Sequence, residues 1–269
     1  MPAAWPRWLV MWTLAGAIYA ACKVVTSIAA QRAGVHAAWW RHAGYLLAWP
    51  GMDATAFLAA PPPAPPAPAE WAAAAAKLVA GATLLVGLGQ LPADSPSWVL
   101  GWLGMLALIL LLHFGVFHVL SCAWRQVGVD ARPLMAAPLR AVSVAEFWGR
   151  RWNTAYRDLT HRFLFRPLRP RLGLAPAIIA GFVCSGLVHD LVISVPAGGG
   201  YGGPTGFFTV QGLALLGERS AAGRRVGLGH GVRGRIFTIA MLVVPLPALF
   251  HPPFVERIVV PFLSALGAI

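Results

Sequence analysis

Long apolar runs alternate along the chain with short basic or proline-rich stretches. Four of these runs are long enough to predict membrane-spanning helices, because crossing a bilayer takes about 20 apolar residues. They cover residues 8–25, 71–91, 98–123 and 175–195. Three further apolar stretches are shorter or contain proline, and they predict additional membrane helices. These cover residues 207–216, 236–250 and 254–269.

The apolar segment at residues 43–60 is too interrupted to predict a regular span. Pro50 and Gly51 break it, so it predicts a re-entrant, interfacial or broken helix. The proline- and alanine-rich residues 61–70 follow, which favour an exposed, extended linker. We therefore interpret the chain as a single integral-membrane domain, in which the linker separates an N-terminal part from the core. The three parts are residues 1–60, 61–70 and 71–269.

Composition supports a membrane protein. The 269-residue chain is 58% hydrophobic and 11% charged, whereas soluble domains carry about 25% charged residues. The formal net charge is +12, and the basic residues lie between the apolar runs. Anionic lipid headgroups explain that placement better than nucleic acid, so we expect no nucleic-acid partner. The pattern predicts an all-α, polytopic membrane helix bundle of about six to eight segments.

The basic stretches also predict the orientation of the helices. Residues 125–171 contain ten arginines and no long apolar run, which predicts a basic, amphipathic segment on the cytoplasmic side. Residues 219–235 contain five more arginines, and two predicted helices separate the stretches. The loop between these helices, at residues 198–203, is uncharged, as expected on the outer side. If residues 43–60 do not cross the membrane, the basic stretch at 23–41 is cytoplasmic too.

The N-terminal run also fits a signal peptide, with Arg7 ahead of it and small residues at Ala20 and Ala21. A retained first helix is favoured, because the rest of the chain is itself membrane-embedded. Abundant alanine, arginine and proline with very little lysine is typical of GC-rich coding. This usage points to a bacterial source, so we expect the multi-pass protein that the apolar runs predict to lie in a bacterial inner membrane.

No metal site is expected from the spacing of ligand-type residues. The three cysteines form no Cys-x-x-Cys pair, which argues against a zinc site or a disulfide framework. His113 and His118 share one predicted helix but are five residues apart. Side chains at that spacing point in different directions, so the pair does not predict joint metal binding.

His189 is the first residue that suggests chemistry. It lies past the middle of its predicted span, where an ionisable side chain is costly and usually faces a bundle interior or a water-filled cavity. Ser185 and Gly186 precede it by four and three residues and share its helix face. Asp190 lies about 100° around the helix. A structural histidine hydrogen-bonded to a neighbouring helix is the alternative interpretation.

The second candidate is the block at residues 146–153, which combines Trp148, Trp152, Arg150 and Arg151 with Asn153. Tryptophan and arginine suit the headgroup interface, and an asparagine amide can orient a partner as donor and acceptor. Taken singly, the aromatic and basic residues also fit an interfacial amphipathic anchor.

Together the two blocks resemble the wax synthase branch of the membrane-bound O-acyltransferase family. Residues 146–153, Glu-Phe-Trp-Gly-Arg-Arg-Trp-Asn, are similar to the family's Phe-Trp-x-x-Trp-Asn block. Residues 185–190, Ser-Gly-Leu-Val-His-Asp, are similar to its membrane-embedded histidine block, with Asp190 where glutamate is usual. The resemblance covers residues 98–220 well and the ends only by hydropathy. Weaker matches lie at 50–53 and 211–212.

The resemblance implies an acyltransferase domain that moves an acyl group from acyl-coenzyme A to a hydroxyl acceptor. His189 would be the general base and Asn153 its positioning partner. Substrate-binding side chains would come from both blocks, namely Trp148, Arg150, Arg151, Trp152, Ser185 and Asp190. The two arginines would hold the coenzyme A phosphates. Acyl-coenzyme A is then a co-substrate, and no permanently bound cofactor is expected.

The expected partners are acyl-coenzyme A, a lipophilic alcohol or other hydroxyl lipid, and membrane lipids. A non-catalytic lipid-binding or transport protein with the same cavity is the alternative from another functional class. An inactive family member that scaffolds a partner is a third interpretation. Acyl transfer that is lost when His189 or Asn153 is replaced would distinguish an enzyme from a lipid-binding protein and from an inactive scaffold.

Overall fold

The computed structural model describes residues 5–92 and 94–269, and these residues form helices and no strands. The chain is therefore an all-helical, polytopic membrane protein, as the sequence predicts. In chain order the helices are α1 (Arg7–Arg32), α2 (Trp39–Ala48), α3 (Ala54–Ala59), α4 (Pro68–Leu88), α5 (Ser97–Gln126), α6 (Val144–Glu146, with a π-helical turn at Phe147–Arg151), α7 (residues 154–172), α8 (Leu174–Ala197), α9 (Gly203–Arg219), α10 (Ala221–Arg225), α11 (Gly231–Leu249) and α12 (residues 252–265).

Five helices are long and apolar enough to cross a membrane, namely α1, α4, α5, α8 and α11. Helix α9 has 17 residues, a length of about 26 Å, slightly less than the hydrocarbon core of a bilayer. It and α12 correspond to two of the shorter predicted segments. Residues 68–70 of the predicted linker are helical, because proline suits the first turn and α4 begins at Pro68.

The described residues group into two compact units. One contains residues 5–15 and 136–262, and the other contains residues 16–135 (except 93) and 263–269. Both predicted site blocks belong to the first unit.

In the second unit, the chain breaks between α2 and α3, as the Pro-Gly pair predicts. Lys23 of α1 donates hydrogen bonds to the carbonyls of Trp49 (2.9 Å) and Gly51 (2.7 Å). Its ammonium also lies 3.2 Å from the centroid of the Tyr45 ring. Lys23 does not begin a basic loop after the first span, because α1 continues to Arg32 and Lys23 is buried. The broken segment explains this, because its unpaired carbonyls need a donor.

In the first unit, α8 and α9 form a closely packed antiparallel pair. A Cβ on Gly186 of α8 would lie 2.5 Å from the Cα of Thr205 on α9. Further along, a Cβ on Gly212 of α9 would lie 3.0 Å from Ile179 of α8. Glycine therefore lets the two backbones approach, as small residues do between membrane helices. This pair carries His189 on one helix and its aromatic neighbours on the other.

Helix α6 begins where α9 ends. The buried carboxylate of Glu218 accepts hydrogen bonds from the backbone N–H groups of Val144 (2.8 Å) and Ala145 (2.9 Å). The Ser143 hydroxyl accepts a third from the N–H of Glu146 at 2.9 Å. These acceptors satisfy the free donors at the helix start. They thereby fix where the block at 146–153 begins.

Candidate active site

His189 has a defined tautomer because of its own helix. Its Nδ1 lies 2.7 Å from the backbone carbonyl oxygen of Ser185, one turn earlier. A carbonyl oxygen can only accept, so Nδ1 carries the hydrogen and donates it. In the neutral imidazole, Nε2 is then left with its lone pair, which is the form a general base needs. A π-helical turn at Asp190–Ser194 directly follows.

An aromatic group links the two blocks of the site. The ring of Phe208 on α9 is buried, and its centroid lies 4.4 Å from that of His189. The centroid of the Trp148 indole lies 5.5 Å from that of the same Phe208 ring and 6.0 Å from that of Phe182 on α8. Trp148 of the first block and His189 of the second therefore contact one side chain. The sequence did not indicate Phe208 as that shared contact.

Gln211 anchors the tryptophan. The indole Nε1 of Trp148 donates to Oε1 of Gln211 at 3.3 Å, and Nε2 of Gln211 donates to the carbonyl of Met241 at 2.7 Å. Gln211 is fully buried, so both ends of its amide need partners. Gln211 matches the family only weakly in sequence, since an isolated glutamine in an apolar run does not reveal its partner.

Asp190 organises the loop after α8. Its carboxylate accepts hydrogen bonds from the Ser194 hydroxyl (2.8 Å) and from the backbone N–H groups of Gly202 (2.8 Å) and Thr205 (3.0 Å). The Thr205 hydroxyl donates to the same carboxylate. These groups surround the N-terminus of α9, where a negative charge is favourable. The described contacts of Asp190 therefore hold the α8–α9 turn in place.

A second buried histidine extends this network. Nδ1 of His251 accepts a hydrogen bond from the backbone N–H of Phe254 at 3.2 Å. In the neutral ring the hydrogen is therefore on Nε2, which donates to the Ser194 hydroxyl at 3.1 Å. That hydroxyl in turn donates to Asp190. Burial holds the pKa of His251 below its usual range, which favours this neutral form. The sequence gave no sign of this contact, which spans 57 residues.

Asn153 occupies a sharp corner of the chain. Its backbone is left-handed, with φ 42° and ψ 61°, between the π turn of α6 and the start of α7. Asparagine tolerates this conformation better than most residues. Its carbonyl accepts from the N–H groups of Tyr156 (3.1 Å) and Arg157 (3.3 Å). The residue before it, Trp152, stacks on Phe147, and the two ring centroids are 5.6 Å apart.

The two arginines of the first block differ in their surroundings. Arg151 donates from Nε to Glu146 (2.7 Å) and from another nitrogen to the carbonyl of Ala136 (3.0 Å). The N–H of Val142 and the Arg151 guanidinium hold the pKa of Glu146 below its usual range. The Arg151 guanidinium thus binds groups of its own loop, whereas the Arg150 side chain is exposed.

Residues 131–210 match the Membrane bound O-acyl transferase family, and this segment contains both blocks and Phe208. Curated relatives agree. A long-chain-alcohol O-fatty-acyltransferase of Simmondsia chinensis is 31% identical over 147 residues, covering 49% of this chain and 40% of the relative. The probable long-chain-alcohol O-fatty-acyltransferase 7 of Arabidopsis thaliana is 29% identical, covering 49% and 42%.

A third relative, the probable long-chain-alcohol O-fatty-acyltransferase 2 of Arabidopsis thaliana, is 38% identical over a shorter stretch, 24% of this chain and 22% of the relative. The chain thus spans less than half the length of the curated relatives named here. No solved structure matches the chain. The comparisons confirm the resemblance of this chain to the membrane-bound O-acyltransferase family and, within it, to the wax synthase-like branch.

Proposed function

We propose that this chain is a membrane O-acyltransferase that moves a fatty acyl group from acyl-coenzyme A to the hydroxyl of a lipophilic alcohol, as a wax ester synthase does. The observation that carries the proposal is the tautomer of His189. Its Nδ1–H is held by the Ser185 carbonyl, which leaves Nε2 to accept a proton. The names of the relatives in Simmondsia chinensis and Arabidopsis thaliana support a long-chain alcohol as the acceptor.

In the proposed reaction, the acceptor hydroxyl attacks the thioester carbonyl and loses its proton to Nε2 of His189. The carbon–oxygen bond of the ester forms, and the carbon–sulfur bond of the thioester breaks. The imidazolium then returns the proton to the coenzyme A thiolate, so the enzyme ends the cycle unchanged. One neutral histidine is sufficient as base and acid, because the acceptor itself is the nucleophile.

The surroundings of the imidazole suit this chemistry. The buried Phe208 ring packs against it, and Trp148 and Phe182 extend the apolar wall. Such a wall excludes water, which would otherwise hydrolyse the thioester. It also offers apolar contact to an acyl or alkyl chain.

We assign the remaining predicted roles within the same proposal. Asn153 positions a reacting group from its fixed corner, and the exposed Arg150 contacts the phosphates of coenzyme A, as arginine commonly does. Arg151 contributes by holding the loop rather than by its own free donors. Trp148 and Trp152 contact the chains of the substrates. Acyl-coenzyme A is a co-substrate, and no permanently bound cofactor is invoked.

The proposal treats residues 1–269 as one acyltransferase domain and places it in a membrane. Alanine-, arginine- and proline-rich composition favours a bacterial inner membrane as that location, whereas the curated relatives named above are plant proteins.

The test is acyl transfer by the purified chain in detergent micelles, with radiolabelled palmitoyl-coenzyme A and hexadecanol as substrates. We expect His189→Ala to lower turnover by about 10²- to 10⁴-fold, the usual contribution of general acid–base catalysis. His36→Ala is the matched control, because His36 is exposed and lies outside the site. Full turnover by a folded His189→Ala protein would show that the assignment is wrong. Substrate binding without turnover in the unmodified chain would favour a lipid-binding protein.

A further inference from the structure

A second polar cluster lies between α4 and α5, in the other compact unit from His189. Its members are Glu70 and Lys77 on α4, and His118 and Arg125 on α5. Each pair is separated by seven residues, two helical turns, so its members lie on one face of their helix. This common face brings four ionisable side chains into one row, which runs from Glu70 in the first turn of α4 and Arg125 in the last turn of α5 toward Lys77 and His118.

The hydrogen bonds of the row have a single consistent direction. The Lys77 ammonium lies 3.1 Å from Nδ1 of His118 and can only donate, so Nδ1 accepts. The Nε2–H of His118 then donates to Oε1 of Glu70 at 3.2 Å. Arg125 donates to both carboxylate oxygens of Glu70. The Glu70 charge is therefore compensated by Arg125, while Lys77 contacts a neutral ring.

The row contains two cations and one anion, which leaves one positive charge on Lys77. Lys77 is near the start of the span predicted from the sequence, at residues 71–91, but it is the tenth of the 21 residues of α4 and thus lies near the middle of that helix. Among the residues that the structure describes, His118 is its one hydrogen-bond partner. An uncompensated charge at this depth is costly, and such side chains usually pair with another charge or face a ligand pathway.

A divalent metal ion is a weaker explanation of the cluster. Ligand atoms of Glu70, His118 and Cys122 do lie within 4.8 Å of one another. However, the Arg125 guanidinium bonds to Glu70 and lies 3.7 Å from the Cys122 sulfur, so a cation already occupies this place. A metal ion would also add two positive charges to a row that already has an excess of one. The missing component is an anion.

The side chains around Lys77 suit an anion that carries a hydrocarbon chain. Basic and apolar side chains together border Lys77, namely His113, Phe114, His118, Pro133, Leu134 and Met135, and they enclose no cavity large enough for a water molecule. We propose that Lys77 binds the oxyanion of a singly charged lipid, the carboxylate of a fatty acid or the phosphodiester of an anionic phospholipid. One such charge neutralises the row, and the hydrocarbon chain lies against the apolar side chains beside Lys77. The site belongs to the other compact unit, so this proposal stands independently of acyl transfer.

Lipid binding to the delipidated full-length chain in a neutral detergent tests the proposal, with native mass spectrometry as the readout. The probes are oleate and dioleoyl phosphatidylglycerol, and oleyl alcohol is the neutral control. We expect saturable binding of at least one anionic probe. We expect Lys77→Met to weaken its Kd at least tenfold, and Lys77→Arg to retain it. Arg169→Met removes an exposed charge elsewhere and should leave binding unchanged.

The outcomes separate the two sources of the oxyanion. Saturable binding of oleate alone identifies a fatty carboxylate, and binding of phosphatidylglycerol alone identifies a phosphodiester. Wild-type affinity in Lys77→Met, or no saturable binding of either probe, overturns the proposal. If Lys77→Met does not fold, binding of oleate and of its uncharged methyl ester to the unmodified chain is compared instead. Equal affinity for the two would show that the charge is not recognised and would overturn the proposal.

Discussion

At the scale of the residue, the tautomer of His189 is set by its own helix. Sequence spacing correctly predicts that Ser185 shares its face, because four residues make about one turn. The structure adds that the contact is made by the backbone carbonyl of Ser185. A carbonyl is present whatever the side chain, so the tautomer of the imidazole does not depend on the serine hydroxyl.

This distinction gives a prediction about Ser185. We expect Ser185→Ala to keep acyl transfer within about threefold of the unmodified chain, since the acceptor for Nδ1–H remains and helical alanine is well tolerated. The measurement is turnover in micelles beside His189→Ala. A loss as large as that of His189→Ala would mean that the hydroxyl itself acts in the reaction.

Glu146 gives a pH-dependent prediction. Its pKa in the folded chain lies below the unfolded value of about 4.3, because Val142 and Arg151 stabilise the carboxylate. Its contribution to stability is therefore present above the unfolded pKa and is lost as pH falls through the folded pKa. We expect Glu146→Gln to lower Tm at neutral pH, and this difference to shrink below about pH 4.

Thermal unfolding in detergent across that pH range measures the effect. Asp53→Asn is a suitable control, because Asp53 is an exposed helix cap in the other unit. A difference in Tm between the unmodified chain and Glu146→Gln that stays constant down to pH 3 would contradict the assignment.

At the scale of the element, the α8–α9 pair determines the site. Gly186 allows the close approach, and Asp190 fixes the turn between the helices. Phe208 of α9 can therefore pack against His189 of α8. The sequence predicted both helices because their apolar runs are local features. It did not predict their register, which depends on which small residue meets which backbone.

We expect Gly186→Ala to destabilise the protein, because the new Cβ would lie 2.5 Å from the Cα of Thr205 and the helices would have to separate. Overpacking of this kind typically costs about 1–3 kcal/mol. The measurement is Tm, together with acyl transfer. Gly206→Ala on α9 is the control, since a Cβ there meets nothing within 4 Å. Equal Tm values for the two variants would show that the close approach is unimportant.

Two other element boundaries show where local patterns mislead. The predicted first span stops near the first charge, but α1 continues past Lys23, because the carbonyls of Trp49 and Gly51 supply it with partners. The predicted linker includes Pro68, but proline at a helix start is compatible with α4. For Lys23, hydrogen bonds to carbonyls more than 25 residues away offset the cost of burying its charge.

At the scale of the whole molecule, the antiparallel α8–α9 pair agrees with the charge-based topology. The start of α8 and the end of α9 lie at the same end of the pair, and both adjoin arginine-rich segments. The uncharged loop at residues 198–203 lies at the opposite end. Positive charge favours the cytoplasmic side, so this loop should face outward.

Cysteine labelling in intact cells tests this orientation. We expect Tyr201→Cys to react with a membrane-impermeant maleimide and Ser220→Cys to react only after the membrane is opened. Both positions are exposed. The native cysteines should be replaced first, since Cys184 is exposed. Labelling of Ser220→Cys but not Tyr201→Cys in intact cells would reverse the predicted topology.

The sequence by itself determined the membrane class, most of the spans and the two blocks that resemble an acyltransferase. These are local properties, because span length, charge placement and residue type can be read within one segment. Tertiary structure decided which groups meet: Phe208 between Trp148 and His189, Gln211 on the tryptophan, and Lys77 on a neutral histidine. Such contacts depend on distances between helices far apart in the chain, and no local pattern contains those distances.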